Sequence, residues 1–227
     1  MREPKISELR QRLPAAQRRR QLLEVAVDRF AVNGLHATSM DEIADAAGVT
    51  KPVLYQHFNS KRQLYGELLE TVGRELLDAV TTSAAAESAP FQRVLAGFRS
   101  YFRFVRQHTS GFQLLFGSGA RRTDEFADSV RTIEESVAAT IGSFIDADID
   151  TEHRHLLGYA IVGLAEVAGR RWVMQSEAGE AKLNKAEGDR LAARLADLAW
   201  AGLRGLPGGS ARNEMPDHKA AGGGTAS

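Results

Sequence analysis

The chain has 227 residues, 43% of them hydrophobic and 26% charged, which are the proportions of a globular protein with room for a sizeable core and two domains. It contains no cysteine, so disulfides, thiolate catalysis and cysteine-ligated metals are excluded and a reducing compartment is permitted. Its 29 basic and 29 acidic residues cancel overall, but residues 1–65 hold 11 Lys or Arg against 7 Asp or Glu, a local net charge of +4 suited to a polyanionic partner.

Taken in order, residues 1–14 are expected to form a basic, flexible arm with Arg10 and Arg12. The run Arg18-Arg19-Arg20 carries that charge into a first helix over 14–33 and is placed to meet phosphate or a minor groove. In this helix Leu22, Leu23, Ala26, Val27 and Phe30 recur at helical spacing, predicting one buried face, and Asn33-Gly34 stops it. Thr38-Ser39 then precedes an acidic first turn, Asp41-Glu42, with Ile43, Ala46 and Ala47 behind it, so a second short helix begins here. Gly48 ends that helix. Thr50 is expected to cap a third, with Pro52 in its first turn, where no N–H is missed. Two short helices joined by a turn containing Gly make a helix-turn-helix, whose second member can lie in the major groove of DNA.

The third helix offers the chemistry for that position. Thr50, Lys51, Tyr55, Gln56 and His57 are its polar groups, while Val53, Leu54 and Phe58 carry much of its apolar character. Planar or short hydrogen-bonding groups read base edges, and hydroxyls and cations hold phosphates. Asn59-Ser60 caps the next helix, whose first N–H groups stand beside Lys61 as a ready phosphate site.

The run DEIADAAGVTKPVLYQHFNSKRQLY, with its IA..AGV turn, LY.HF helix and K..L start of the fourth helix, resembles the DNA-binding domain of TetR-family transcriptional regulators over residues 22–69. The resemblance implies a DNA-binding domain at 15–65. Lys51, Pro52, Val53 and Gln56 would lie nearest the bases, and Thr38, Ser39, Thr50, Tyr55, His57 and Lys61 nearest the phosphates.

A fourth helix over 61–82, with Leu64, Leu68, Val72, Leu76 and Leu77 in register, continues past that domain into a second one, expected at 66–206. The fifth helix, 90–107, opens a segment in which Phe91, Phe98, Tyr101, Phe102, Phe104, Phe112 and Phe116 supply 7 of the 16 aromatic residues. Phe98, Phe102 and Val105 share one face. Such a stripe is either plain core or the wall of a ligand cavity; the family resemblance implies a cavity, with Phe112, Phe116, Phe126 and Trp172 as further lining. A short helix and a flexible connection are expected over 111–122, then a long helix over 123–146.

Thr151 is expected to cap an eighth helix, 152–176, and a ninth follows over 185–203. Gly158, Val162, Ala165 and Gly169 repeat along the eighth, and Ala192, Ala196, Ala199 and Gly202 along the ninth. Small residues at this spacing let helices approach closely. An intramolecular pair would explain them too, whereas the resemblance implies a four-helix bundle joining two copies, and reading a palindrome needs such a dimer. Residues 207–227 lack an apolar pattern and are expected to be disordered.

No nucleophile elbow, phosphate-cradling loop or strand is legible, so the chain is expected not to be an enzyme and to hold no cofactor. His153 and His155, at i and i+2, face apart on a helix and are expected at the surface, not on a metal. His108 is placed to favour the dipole at the end of the fifth helix. No apolar run could span a membrane, and a cytoplasmic location is expected. Arg170-Arg171-Trp172 can hold an anionic headgroup or simply cap and snorkel. The patterns GF.LLF, G..E.A.RRW and AWAGLRGLP are similar to those of actinobacterial TetR-type regulators of fatty-acid biosynthesis, a resemblance that implies an acyl-CoA effector. The expected protein is therefore an all-α homodimer binding a palindromic DNA operator as a repressor under control of a hydrophobic small molecule. The alternative is a lipid or small-molecule binder of the same fold without regulatory DNA binding.

Overall fold

The computed structural model describes residues 14–117 and 124–208. Among them the regular elements are helices only: α1 Ala15–Ala37, α2 Met40–Ala46, α3 Lys51–His57, α4 Lys61–Ala85, α5 Pro90–Gln107, α6 Thr109–Phe116, α7 Asp124–Ser143, α8 Thr151–Glu177 and α9 Lys185–Leu203. The all-α expectation is met. The arm residues Arg10 and Arg12, most of the 111–122 connection beyond Gly117, and the tail from residue 209 lie outside the described residues.

The helices form two compact units, Met1–Val72 with Ser110–Ser129 and Gly73–Thr109 with Val130–Ser227. The boundary expected after residue 65 falls within α4, which runs unbroken through that point. Residues around Phe126 belong with the N-terminal helices: the Phe126 ring lies 4.9 Å from that of Tyr65, which in turn meets Phe30 edge-on at 5.1 Å.

In the first unit, Leu22, Ala26 and Phe30 of α1, Ile43 of α2, Leu54 of α3, Phe58 and Leu64 are buried almost completely. They are the apolar positions of three short amphipathic helices, which cannot persist alone in water and hold one another by burying that face. The regular part of α1 ends at Gly34, whose φ of 75° only glycine adopts without strain. Ser39 closes a capping box with Glu42 at the start of α2, and Gly48, φ 66°, turns the chain toward α3. Thr50 stands at the N-cap position of α3 in extended conformation, but its side chain makes no capping bond, contrary to expectation. Pro52 in the first turn holds the helix start by its fixed φ instead.

In the second unit α9 lies along α5, with α8 against both. Gly188 makes this approach possible: a Cβ there would sit 3.2 Å from the Trp172 ring and 3.5 Å from Phe102. The Phe102 and Trp172 rings pack at 5.8 Å, as do those of Phe91 and Trp200. Ser100 donates to the Ala79 carbonyl at 2.7 Å, tying α5 to the second half of α4. Asp150, not Thr151, caps α8, accepting from the His153 N–H at 2.7 Å; Thr151 is already helical. The Arg154 guanidinium donates to the carbonyls of Ile145, Ala147 and Ile149 and so gathers the loop between α7 and α8.

Candidate nucleic-acid interface

The third helix is seven residues long and is fixed by what it buries. Leu54 and Phe58 point inward and are fully covered, which turns Lys51, Pro52, Tyr55 and Gln56 outward, with Val53 and His57 half-buried. One face of the helix is therefore anchor and the opposite face is a short, polar, solvent-exposed ridge of the size a major groove admits.

Charges around the ridge are already engaged. The Lys51 ammonium lies 2.9 Å from the Asp41 carboxylate in the first turn of α2, and that hydrogen bond and charge hold its pKa above the ordinary lysine value. Lys61 donates to the carbonyls of Thr38 at 2.7 Å and His36 at 3.2 Å, so its ammonium closes the α1–α2 loop as well as standing at the start of α4. Ser60 caps α4 by accepting from the Gln63 N–H at 3.1 Å.

Two residues are placed differently from expectation. Thr38 is 1% exposed, and its hydroxyl donates back to the carbonyls of Gly34 at 2.8 Å and Arg29 at 3.3 Å. That side chain cannot meet a phosphate without leaving the core. Arg19, read as part of a basic run facing phosphate, is bound instead to the His57 carbonyl at 2.5 Å and to the Glu67 carboxylate, with its guanidinium 4.3 Å from the Phe58 ring centroid. Sequence reasoning missed this because the partners stand 38 and 48 positions away. Ser39 is exposed at the N-terminus of α2 with its hydroxyl in the capping box.

The proposed pocket residues are divided between the two units. Phe98, Phe102, Val105 and Trp172 are buried in one, with Phe102 against Trp172; Phe112, Phe116 and Phe126 are buried in the other, with Phe112 and Phe116 in ring contact at 5.1 Å. Trp172 is core, its indole N–H donating to the Lys182 carbonyl at 3.2 Å. Beside it Arg170 pairs with the buried Glu166 carboxylate at 3.3 Å. Burial first, and then Glu166, push the enclosed Tyr101 phenol well above its ordinary range. Tyr101 and Glu166 were not singled out as site residues, although the G..E.A.RRW pattern already set Glu166 and Arg170 one turn apart. A surface groove of about 340 Å³ is lined by Val25, Asp28, Arg29, Val32, Asn33 and Ala46, none of them a proposed pocket residue.

The small residues expected at a dimer interface are mostly buried within the single chain. Ala192 and Ala196 are fully buried, and Ala199 nearly so, on α9. Gly158 faces α7, where a Cβ would stand 2.1 Å from the Ala138 carbonyl oxygen. Ala165 and Gly169 are buried and Val162 is half-buried. The outward side of α8 is different: Leu156, Tyr159, Ala160, Val167 and Met174 are exposed, and nothing lies within 4 Å of a Cβ added at Gly163. On α9, Leu198 is exposed in the same way.

His155 is in ring contact with Tyr159 at 5.3 Å, and among the described residues no group of three His, Cys, Asp or Glu could hold a metal ion. His108 ends α5 stacked on Phe104 at 4.9 Å. No described helix is long and apolar enough to cross a membrane.

Residues 22–68 match the family described as bacterial regulatory proteins of the tetR type, and residues 90–202 match a tetracyclin repressor-like C-terminal domain. Over 198 residues the chain is 31% identical to the HTH-type transcriptional activator FasR of Mycolicibacterium smegmatis, covering 86% of this chain and 87% of that one. It is 30% identical over 156 residues to the transcriptional repressor KstR2 of the same organism, covering 62% of this chain and 75% of the relative. A TetR-like regulator from Rhodococcus sp. RHA1 superposes with a TM-score of 0.68 at 28% identity, over 86% of this chain and all of the other.

Proposed function

The chain belongs to the TetR family of DNA-binding transcriptional regulators, and on that premise we propose that two copies read a palindromic operator through α3 under control of a hydrophobic effector. The observation that carries the reading is the exposed ridge Lys51, Pro52, Tyr55 and Gln56, held outward by fully buried Leu54 and Phe58. Gln56 and Lys51 supply donors for base edges, Val53 an apolar contact, and Tyr55, Thr50, Ser39 and Lys61 the flanking phosphate contacts. Two such heads on a C2 axis address half-sites about 34–36 Å apart.

The surface that joins the copies is the outward side of α8. Leu156, Ala160, Gly163 and Val167 follow one another at i+4 and i+3 steps, the spacing of a helix seam, Met174 lies two turns further on past Arg170-Arg171, and Leu198 extends the apolar surface on α9. A stripe of this kind in water is a cost that association removes.

The effector is a long-chain acyl group. The GF.LLF and G..E.A.RRW stretches support this reading, and Glu166 with Arg170 supplies a polar pair beside the aromatic core for its headgroup. Binding favours one arrangement of α4 over another, and because α4 begins next to α3 and continues without a break, operator affinity changes with it. Repression, the expected sign, requires an operator overlapping the promoter; activation, the sign in the FasR name, requires one upstream.

The test is a footprint on DNA selected from a random-sequence pool, combined with a native mass spectrum of the protein as purified. A protected palindrome and a dimer carrying an acyl-chain mass are expected. A monomer overturns the α8 interface, an empty dimer that ignores added palmitoyl-CoA overturns the effector, and a pool without enrichment overturns operator reading.

A further inference from the structure

The recognition helix is too short to hold its own orientation, and the structure shows what does. Two turns of helix leave most backbone groups at one end or the other without an intrahelical partner. Leu54 and Phe58 fix the depth of α3 in the unit, but apolar contact is non-directional and leaves the roll and tilt of the axis loosely set. Roll decides whether Gln56, Val53 or Pro52 points at a base.

Arg19 supplies the direction. Its Nη1 donates to the carbonyl of His57, the last residue of α3, at 2.5 Å, placing a cation on the negative end of that helix. Its Nη2 donates to Oε2 of Glu67 on α4. The other Glu67 oxygen accepts from Gln63 Nε2 at 3.1 Å, and Gln63 Oε1 accepts from the Asn59 N–H at 2.8 Å. The chain Arg19–Glu67–Gln63 therefore grips the α3–α4 corner on both sides, at the carbonyl before Phe58 and at the N–H after it. Phe58 itself lies beneath the guanidinium, 4.3 Å from ring centroid to carbon. Two of the five N–H donors of Arg19 are held by a carboxylate and a carbonyl, and the Glu67 charge offsets its attraction for a phosphate.

We propose that Arg19 is a positioning residue for operator discrimination: through Glu67 and the His57 carbonyl it sets the orientation of α3, and it does not contact DNA. The inference rests on base reading by α3. If the unaltered protein showed no sequence preference, both readings would be overturned together.

The experiment compares Arg19→Gln, Arg19→Lys and Glu67→Gln with the unaltered chain. Each is titrated against the selected operator and against a random-sequence duplex of equal length over a range of salt, below the melting temperature of every variant. Arg19→Gln and Glu67→Gln are expected to lower the operator-to-random affinity ratio about tenfold, with random-duplex affinity and salt slope unchanged. Arg19→Lys, which keeps the charge and loses the planar fork, is expected to resemble Arg19→Gln. A phosphate contact gives the opposite pattern: Arg19→Gln weakens both duplexes equally and flattens the salt slope by about 0.9, Arg19→Lys is nearly silent, and Glu67→Gln tightens both. That pattern overturns the proposal, as does a lowered melting temperature with an unchanged affinity ratio.

Discussion

The Lys51 ammonium lies 2.9 Å from the Asp41 carboxylate, pairing the start of the recognition helix with the first turn of the helix before it. Both side chains are more than half exposed, so the pair adds little to stability. Its importance is at the interface, because Lys51 must exchange this carboxylate for DNA and Asp41 repels the phosphates that approach. Asp41→Asn removes a negative charge beside the ridge and frees Lys51 for base edges, so it is expected to raise affinity about three- to tenfold, more on the operator than on random DNA. Anisotropy titrations on operator and random DNA at several salt concentrations check this; unchanged affinity would show that Lys51 takes no part.

Gln56 and Lys61 separate reading from holding. Gln56→Ala removes an exposed amide that packs on nothing in the core, so the melting temperature should stay put while operator binding weakens by about 1–3 kcal/mol and random binding does not. Lys61→Ala strips two carbonyls of their donor, those of Thr38 and His36. A loss of about 1 kcal/mol in stability is expected, seen as a drop in melting temperature of several degrees, together with weaker binding to all sequences alike.

The two sides of the C-terminal helices should respond oppositely. Val167→Glu and Leu156→Glu place charges on the exposed seam of α8 and are expected to yield folded monomers, read by light scattering with an unchanged helical spectrum. Ala196→Leu forces a larger side chain into the fully buried face of α9 and is expected to cost about 1–3 kcal/mol of stability while the protein that folds remains dimeric. Monomers from Ala196→Leu with undiminished stability would return the interface to the small-residue face.

Acid should act on α2 through Glu42. The Ser39 N–H donates to its carboxylate at 2.7 Å, the Ser39 side chain adds to the effect, and the carboxyl is held below the ordinary glutamate range. A lowered folded-state value means that the capping box contributes stability above the ordinary glutamate range and loses it as pH falls through the folded value. Ser39→Ala keeps the backbone N–H and removes only the hydroxyl, so it is expected to move the Glu42 titration part of the way back up, as carbon-detected NMR would record, and to remove only the side-chain part of the acid sensitivity.

What the sequence determined by itself is what short-range chemistry decides. Helix starts and stops at Ser39, Gly34, Gly48 and Pro90 follow from capping, from proline's fixed φ and from glycine's access to positive φ, which involve a few neighbouring residues. The outward face of α3 was legible as well, because Leu54 and Phe58 are the large apolar groups of a very short helix and one face had to be theirs. Tertiary structure alone decided the rest. Small residues on α8 and α9 permit close approach to any helix, and only packing showed that Gly158 meets α7 and that Ala192 and Ala196 are buried within the chain, while larger apolar groups of α8 are exposed. Thr38 and Arg19 looked like phosphate contacts because hydroxyls and guanidiniums serve equally well to satisfy buried carbonyls. Which acceptor such a donor finds depends on what the fold brings within 3 Å, and that is a property of contacts distant in sequence.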